Sequence, residues 1–260
     1  MNEAYRKSDG ALTNEALRLA RDALQVDPES VLALNVLGFS QFHNLLIRTT
    51  ENRAQAWLEG MEAASQGIAL EQSSLSYALK ALLIAHEPTG GKLDEARAAG
   101  ATAYRLNPHE SAVITIYAQT LIFTGDPVQA IQLLKRALRI NPRDPRIYNV
   151  YSELAQAHVV AADYAGAMEW AVHARSEAPG YVHTHLLVAM VHVGLGDIGK
   201  AKASLEEARR LAPDLVRRRL QPKPPGRGIA TGHQFDILLK IAAGLEDPSA
   251  ANCFRAVKDV

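Results

Sequence analysis

The chain has 260 residues, 48% of them hydrophobic, which is ample for a large buried core and too apolar for a disordered chain. Lys plus Arg and Asp plus Glu stand at 28 each, so no net field draws the protein to nucleic acid or to an anionic membrane. A single cysteine, Cys253, excludes an internal disulfide and a cysteine-rich metal cage, and it fits a reducing cytoplasm. Residues 1–10 are polar, with no apolar core of a secretion signal, and the longest apolar stretches, around Val31 to Phe39 and Ile114 to Phe123, are too short to span a membrane. Helices are then predicted in chain order at 12–26, 29–46, 52–70, 73–86, 92–106, 109–124, 127–140, 145–161, 164–177, 180–194 and 198–211. Residues 221–232, with three prolines and three glycines, form a linker. One more amphipathic helix is expected from His233 to Leu245, in a C-terminal segment of residues 233–260.

The helix assignments rest on a repeat. Ala23, Ala103, Ala137 and Ala208 each stand five positions before a proline, at 28, 108, 142 and 213. Pro108 and Pro142 are 34 apart, as are Pro179 and Pro213; the step from 142 to 179 is 37, and Gln72 takes the proline's place one unit earlier, with longer spacings of 44 and 36. Inside the units a tight turn recurs, at Gly125-Asp126, Ala162-Asp163 and Gly196-Asp197, with Gly90-Gly91 one unit earlier. Glycine ends one helix in the left-handed conformation and aspartate caps the next. Small residues descend each second helix, as in Ala16/Ala20/Ala23, Ala96/Gly100/Ala103, Ala130/Ala137, Ala167/Ala171/Ala174 and Ala201/Ala208. They share one face, and a face without bulk lets a neighbouring helix come close.

This pattern resembles the tetratricopeptide repeat family over residues 11–213, within an expected solenoid of residues 11–220, about five and a half repeats. Its core positions fall on Ile114, Tyr117, Ala118 and Leu121, and again on His185, Val188, Ala189 and His192, with Ala201, Leu205, Ala208 and Pro213 following. The insertion near Leu45 to Ala56 and the extra turn near Pro145 depart from it. The resemblance implies an all-α solenoid, a right-handed superhelix of antiparallel helix pairs, whose first helices line a concave groove for a peptide or helix of a protein partner. The positions that match the ligand-facing pattern are Asn35, Phe39, Phe42, His43, Leu79, Leu83, His86, Thr115, Gln119, Phe123, Asn149, Ser152, Gln156, Leu186 and Met190. Lys and Arg are absent from this set, so the carboxylate-clamping mode of some members is not expected. A narrower likeness, carried by Arg48-Thr49-Thr50-Glu51-Asn52-Arg53-Ala54-Gln55-Ala56-Trp57, Ile140-Asn141-Pro142-Arg143-Asp144-Pro145-Arg146 and Glu177-Ala178-Pro179-Gly180-Tyr181, is to the repeat region of bacterial class III adenylate cyclases and related regulators. It implies a bacterial signalling or regulatory role, or a separated accessory module of a cyclase.

No enzymatic site is read from the sequence, and no cofactor or metal is expected. His183, His185 and His192 share a helix, but 185 and 192 are seven positions apart, about 10 Å along the axis, too far to share a zinc ion. They fall on packing positions, as does His158 one unit earlier. No serine or cysteine lies in a nucleophile elbow, and the Gly-x-Gly pairs at Gly194 and Gly226 follow no predicted strand. Arg217, Arg218 and Arg219, with Lys223 and Arg227 beyond, could hold a phosphate or an acidic partner, yet arginines at a helix C-terminus also complement its dipole. Finally, the phase marks residues 12–26 as a second helix whose first helix is lacking. An exposed seam is therefore expected around Leu12, Ala16, Leu19 and Ala20, which either pairs with another copy as a homo-oligomer or was once continuous with an upstream domain.

Overall fold

The computed structural model describes residues 10–47, 50, 52–87, 92–221 and 232–254. Their regular structure is entirely helical, with no strand among the described residues. The helices are α1 (Gly10–Val26), α2 (Val31–Ile47), α3 (Arg53–Leu70), α4 (Ser74–Ala85), α5 (Leu93–Leu106), α6 (Ser111–Phe123), α7 (Pro127–Ile140), α8 (Ile147–Val160), α9 (Tyr164–Glu177), α10 (Val182–Gly194), α11 (Ile198–Leu211), α12 (Pro213–Leu220) and α13 (Gly232–Ala242), followed by a 3-10 helix, η1 (Pro248–Phe254). The chain divides into two compact units, residues 1–120 and 121–260. The turn at Gly90-Gly91, most of the linker, and Lys223 and Arg227 lie outside the described residues.

The five-residue interval before each proline has a plain physical reason. The last N–H before the proline donates to the carbonyl of the small residue four back: Asp27 to Ala23 at 2.9 Å, Asn107 to Ala103 and Asn141 to Ala137 at 3.0 Å, Ala178 to Ala174 at 3.1 Å, and Ala212 to Ala208 at 2.9 Å. Proline then has no N–H to continue the ladder. Glu71 donates to the Gly67 carbonyl at 3.2 Å in the same way, which fixes Gln72 as the counterpart of proline. At the other end, Asp126 and Asp163 accept from the N–H of Gln129 and Gly166, and Asn52 caps α3 through Gln55. After Pro142 the extra residues fold into a turn held by Asp144, whose carboxylate accepts from the Arg146 N–H at 2.8 Å, so α8 begins two residues later than its phase suggests.

In the first unit α2 packs on α1 and α3, and α4 on α3, α5 and α2. In the second, α8 packs on α7 and α9, and α10 on α9, α11 and α8. Close approach depends on the small residues: Ala96 and Ala103, Ala130 and Ala137, Ala167, Ala171 and Ala174, and Ala201 and Ala208 are all buried. The outer faces carry ion pairs within a helix, such as Arg209 with Glu206 and Arg210 with Glu207, which solvent screens and which add little to stability. The second unit is closed by α12, α13 and η1. Pro213, which stops α11, is also the first residue of α12, where its missing N–H costs nothing. The helix α13 packs on α10, α11 and α12, and the side-chain amide of Gln234 donates to the Val159 carbonyl at the end of α8, 2.9 Å away.

The three turns between paired helices give a test. Gly125 and Gly196 sit at φ 83° and 86°, and Ala162 is forced to φ 54° in the equivalent place. An L-side chain is strained there. Ala162→Gly is expected to stabilise the second unit by roughly 0.5 to 1 kcal/mol, and Gly196→Ala to destabilise it by a similar amount, read as opposite shifts of the urea midpoint.

Candidate partner-binding surface

The inner-phase residues differ sharply in what they present. In the first unit Leu79 and Leu83 are 0% exposed. Leu79 packs against Gly38 of α2, and Leu83 against Gly60 of α3, so close that a Cβ on either glycine would meet the leucine. The expectation that these two leucines face a partner is corrected: they are core, because α4 is enclosed between α2, α3 and α5 and its apolar residues turn toward those neighbours. His43 is also enclosed, its Nδ1 2.6 Å from Thr13 Oγ1 on α1, so it joins two helices and does not face a groove. Asn35 is buried and accepts from Ser76 Oγ at 3.0 Å, tying α2 to α4. Thr115 is buried and donates back to the Ser111 carbonyl at 2.7 Å. Phe42 is buried with its ring edge-on to His86, 5.0 Å between centroids, while His86, Phe39 and Gln119 remain half-buried.

In the second unit Phe123, Ser152, Leu186 and Met190 are buried, and Asn149 and Gln156 on α8 are half-buried. Leu186 and Met190 belong to α10, a helix covered on nearly all sides by α8, α9, α11, α13 and η1. The chain's own C-terminal helix therefore packs on a helix assigned to the partner-facing surface. What remains accessible from the predicted set is a sparse series of aromatic, imidazole and amide groups: Phe39, His86 and Gln119 in one unit, Asn149 and Gln156 in the other.

At the N-terminal seam Leu12, Leu19 and Ala23 are exposed and Ala16 is half-buried, but Ala20, at 3% exposure, is packed with Thr13 and Leu17 on the α2 side of the helix. Ala20 is thus removed from the expected seam. Beside it lies a polar cleft of about 380 Å³ that sequence reasoning missed, lined by Asn14, Arg21, Gln41, Asn44, Asn52, Gln55 and Glu59 among others. Arg21 on α1 pairs with Glu59 on α3 at 2.9 Å, and Gln41 on α2 donates to the same carboxylate. These residues come from three helices and share no spacing that a sequence would display.

No group of His, Cys, Asp or Glu able to hold a metal ion occurs among the described residues. No described helix is long and apolar enough to cross a membrane. The histidines take structural parts: His185 Nε2 donates to the Pro179 carbonyl at 2.8 Å, and His158 Nδ1 meets the capping Asp163 at 2.9 Å. In the next repeat His192 stands 3.9 Å from Asp197, the counterpart of that cap. Burial lowers the His192 pKa, against an opposing pull from Asp197 and with help from Lys200 and Arg175. An imidazole whose folded pKa is lowered takes up its proton more readily in the unfolded chain. Stability is therefore lost as pH falls below the unfolded value of about 6.5 toward the lowered folded value. His192→Gln is expected to flatten that part of a stability profile measured by urea melts from pH 7.5 downward.

Residues 90–154 and 182–215 each match a model of the tetratricopeptide repeat. No curated protein matches the chain. Among solved structures, the thermophilic tetratricopeptide repeat protein TTC0263 of Thermus thermophilus is 18% identical, with 75% of this chain and 99% of that one covered and a TM-score of 0.54. A tetratricopeptide repeat protein from Parabacteroides merdae is 15% identical, covering 99% of this chain and 91% of its own, also at 0.54. Cut9, in its APC/C hetero-tetramer with Hcn1, is 15% identical over 85% of this chain and 48% of that one, at 0.51. At these identities the likeness is one of fold.

Proposed function

We propose that this chain, which carries tetratricopeptide repeats at residues 90–154 and 182–215, works as a protein-interaction scaffold that receives a peptide or helix of a protein partner on the inner side of its first helices. The observation that carries the reading is the placement of Asn149 and Gln156 on α8, and of Phe39, His86 and Gln119 in the first unit. Each of these side chains keeps part of its surface exposed, on helices otherwise given over to packing, although Phe39 packs on the core of the first unit and His86 lies against Phe42. Amides suit a peptide backbone or polar side chains, and the aromatic ring offers an apolar anchor. A neighbour of the same fold, Cut9, is assembled with a second protein, Hcn1. No comparison carries the narrower likeness to cyclase repeat regions, and a cyclase accessory role forms no part of the proposal. Nor does nucleic acid: Arg217 is already paired with Asp214 at 2.7 Å, and Arg209, beside it in a shallow pocket, with Glu206.

The test is site-specific photocrosslinking in the native host, with a benzoylphenylalanine at Gln119, Asn149 or Gln156 and, as the outer control, at the exposed Lys202 of α11. Adducts to one protein from the inner positions, and none from Lys202, are expected. Adducts from Lys202 alone would sink the inner-face reading.

A further inference from the structure

From Pro28 to Gln72 the repeat runs 44 positions where its period is 34, and the helices show where the excess goes. The helix α2 begins three residues after its proline, as α6 and α10 do, but has 17 residues where they have 13. The helix α3 ends two residues before Gln72, as α5, α7, α9 and α11 end before their prolines, but has 18 residues where they have 14. Each helix of this pair thus carries one added turn, residues 44–47 on α2 and 53–56 on α3.

Those turns build the polar cleft of about 380 Å³ against α1. Asn44 belongs to the added turn of α2, Gln55 and Ala56 to that of α3, and Asn52 caps α3 just ahead of it. With Asn14 and Gln41 they bring five side-chain carboxamides to one cleft. Its charged residues, Arg21 and Glu59, are paired with each other, and no aromatic ring is among its described lining residues. Asn44 donates to Asn14 at 3.4 Å, a long bond that a ligand can replace. Gln41 is 5% exposed and stands thirteen positions after Pro28, where Leu121 and His192 stand after Pro108 and Pro179. Its amide N–H goes to Glu59, while its oxygen accepts nothing from the described residues and is not sealed from the cleft. A carboxamide held in a wall with an unused acceptor calls for a donor from outside the chain.

We infer that this cleft binds a short extended stretch of another polypeptide through its main-chain amide groups, with Gln41 accepting one of the N–H groups. A carboxamide carries the same donor and acceptor as a peptide bond, so a wall of them matches successive main-chain groups. The dimensions agree. Asn14 to Arg21 on α1 and Asn52 to Glu59 beside it on α3 each span seven positions, about 10 Å of helix axis, the length of about three residues of extended chain. With its ion pair closed the cleft offers no unmatched charge, so the bound residues are uncharged. A sugar ring, with its apolar face, would find no aromatic side chain to stack on. The site is separate from the inner face proposed above: Gln41 and Asn44 stand two residues on from Phe39 and Phe42, about 200° round the helix, so either site can fail without the other.

The probe is an equimolar pool of N-acetylated tripeptide amides built from Gly, Ala, Ser and Asn, titrated into the full chain while its backbone amide chemical shifts are followed. Saturable shifts confined to the cleft residues of α1, α2 and α3 are expected, and the same pool with its main-chain nitrogens methylated should leave them unmoved. Gln41→Leu, which takes the residue type of Leu121 in the same register, should weaken binding at least tenfold. Gln55→Ala, at an exposed position, should weaken it severalfold with the urea midpoint unchanged. Absence of binding, equal binding of the methylated pool, or binding undiminished in both variants overturns the inference. So does a shift of the same amides by glucose where the pool gives none, since the cleft would then serve a polyol.

Discussion

Leu83→Ala is expected to destabilise the first unit by about 2 to 5 kcal/mol, the range for emptying a fully enclosed leucine site. The side chain fills the space against Gly60, where no Cβ exists to close the gap after truncation. Its own carbonyl accepts from the Trp57 indole N–H at 2.7 Å, so the surrounding backbone is held and cannot collapse inward freely. Trp57 makes the measurement direct: with Trp170 of the other unit replaced by Phe, its fluorescence during urea unfolding reports the first unit alone. A midpoint unchanged from the parent would mean that Leu83 is a surface anchor after all. Gln119→Ala, at a half-buried inner position, is expected to leave the midpoint within about 0.5 kcal/mol of the parent.

The second large effect is expected from adding a single methyl group. Gly194 ends α10 against Tyr164, the first residue of α9, and an alanine Cβ there would lie 2.2 Å from Tyr164 Cδ1 and 2.4 Å from both Cε1 and Cγ. Tyr164 is itself buried, so the ring cannot swing into open space. Overpacking of this kind costs about 1 to 3 kcal/mol. The cause is checked by a double-mutant cycle with Tyr164→Ala, which removes the obstacle: the two losses should fall short of additive by on the order of 0.5 to 3 kcal/mol. Strict additivity would show that Gly194→Ala acts through something other than the ring.

Second helices proved far more legible in the sequence than first helices. The ends of α7 and α9 fall where the capping aspartates and the residue ahead of the proline place them, because those signals are local chemistry: a carboxylate for free N–H groups and a ring without one; α11 keeps the same phase although its Asp197 makes no side-chain cap bond. First helices such as α6 and α10 are apolar nearly all round and buried nearly all round, so their periodicity carries no mark of which face meets a neighbour and which meets a partner. Leu79, Leu83 and His43 share the phase of a groove for that reason, yet neighbouring helices enclose them. The bond from Gln234 to Val159, 75 positions apart, and the cleft around Glu59 arise from tertiary juxtaposition, which no short-range pattern encodes.

That long bond alters how the second unit should come apart. A row of repeats in which each helix pair touches only its neighbours frays from the end, one pair at a time, with amide protection declining toward the terminus. Here α13 packs on α10, α11 and α12 while its Gln234 grips the end of α8, so the last pair cannot loosen until the strap that crosses it lets go. The terminal amides of α10 and α11 should therefore exchange with deuterium as one cooperative block together with α13, and no more readily than those of α8.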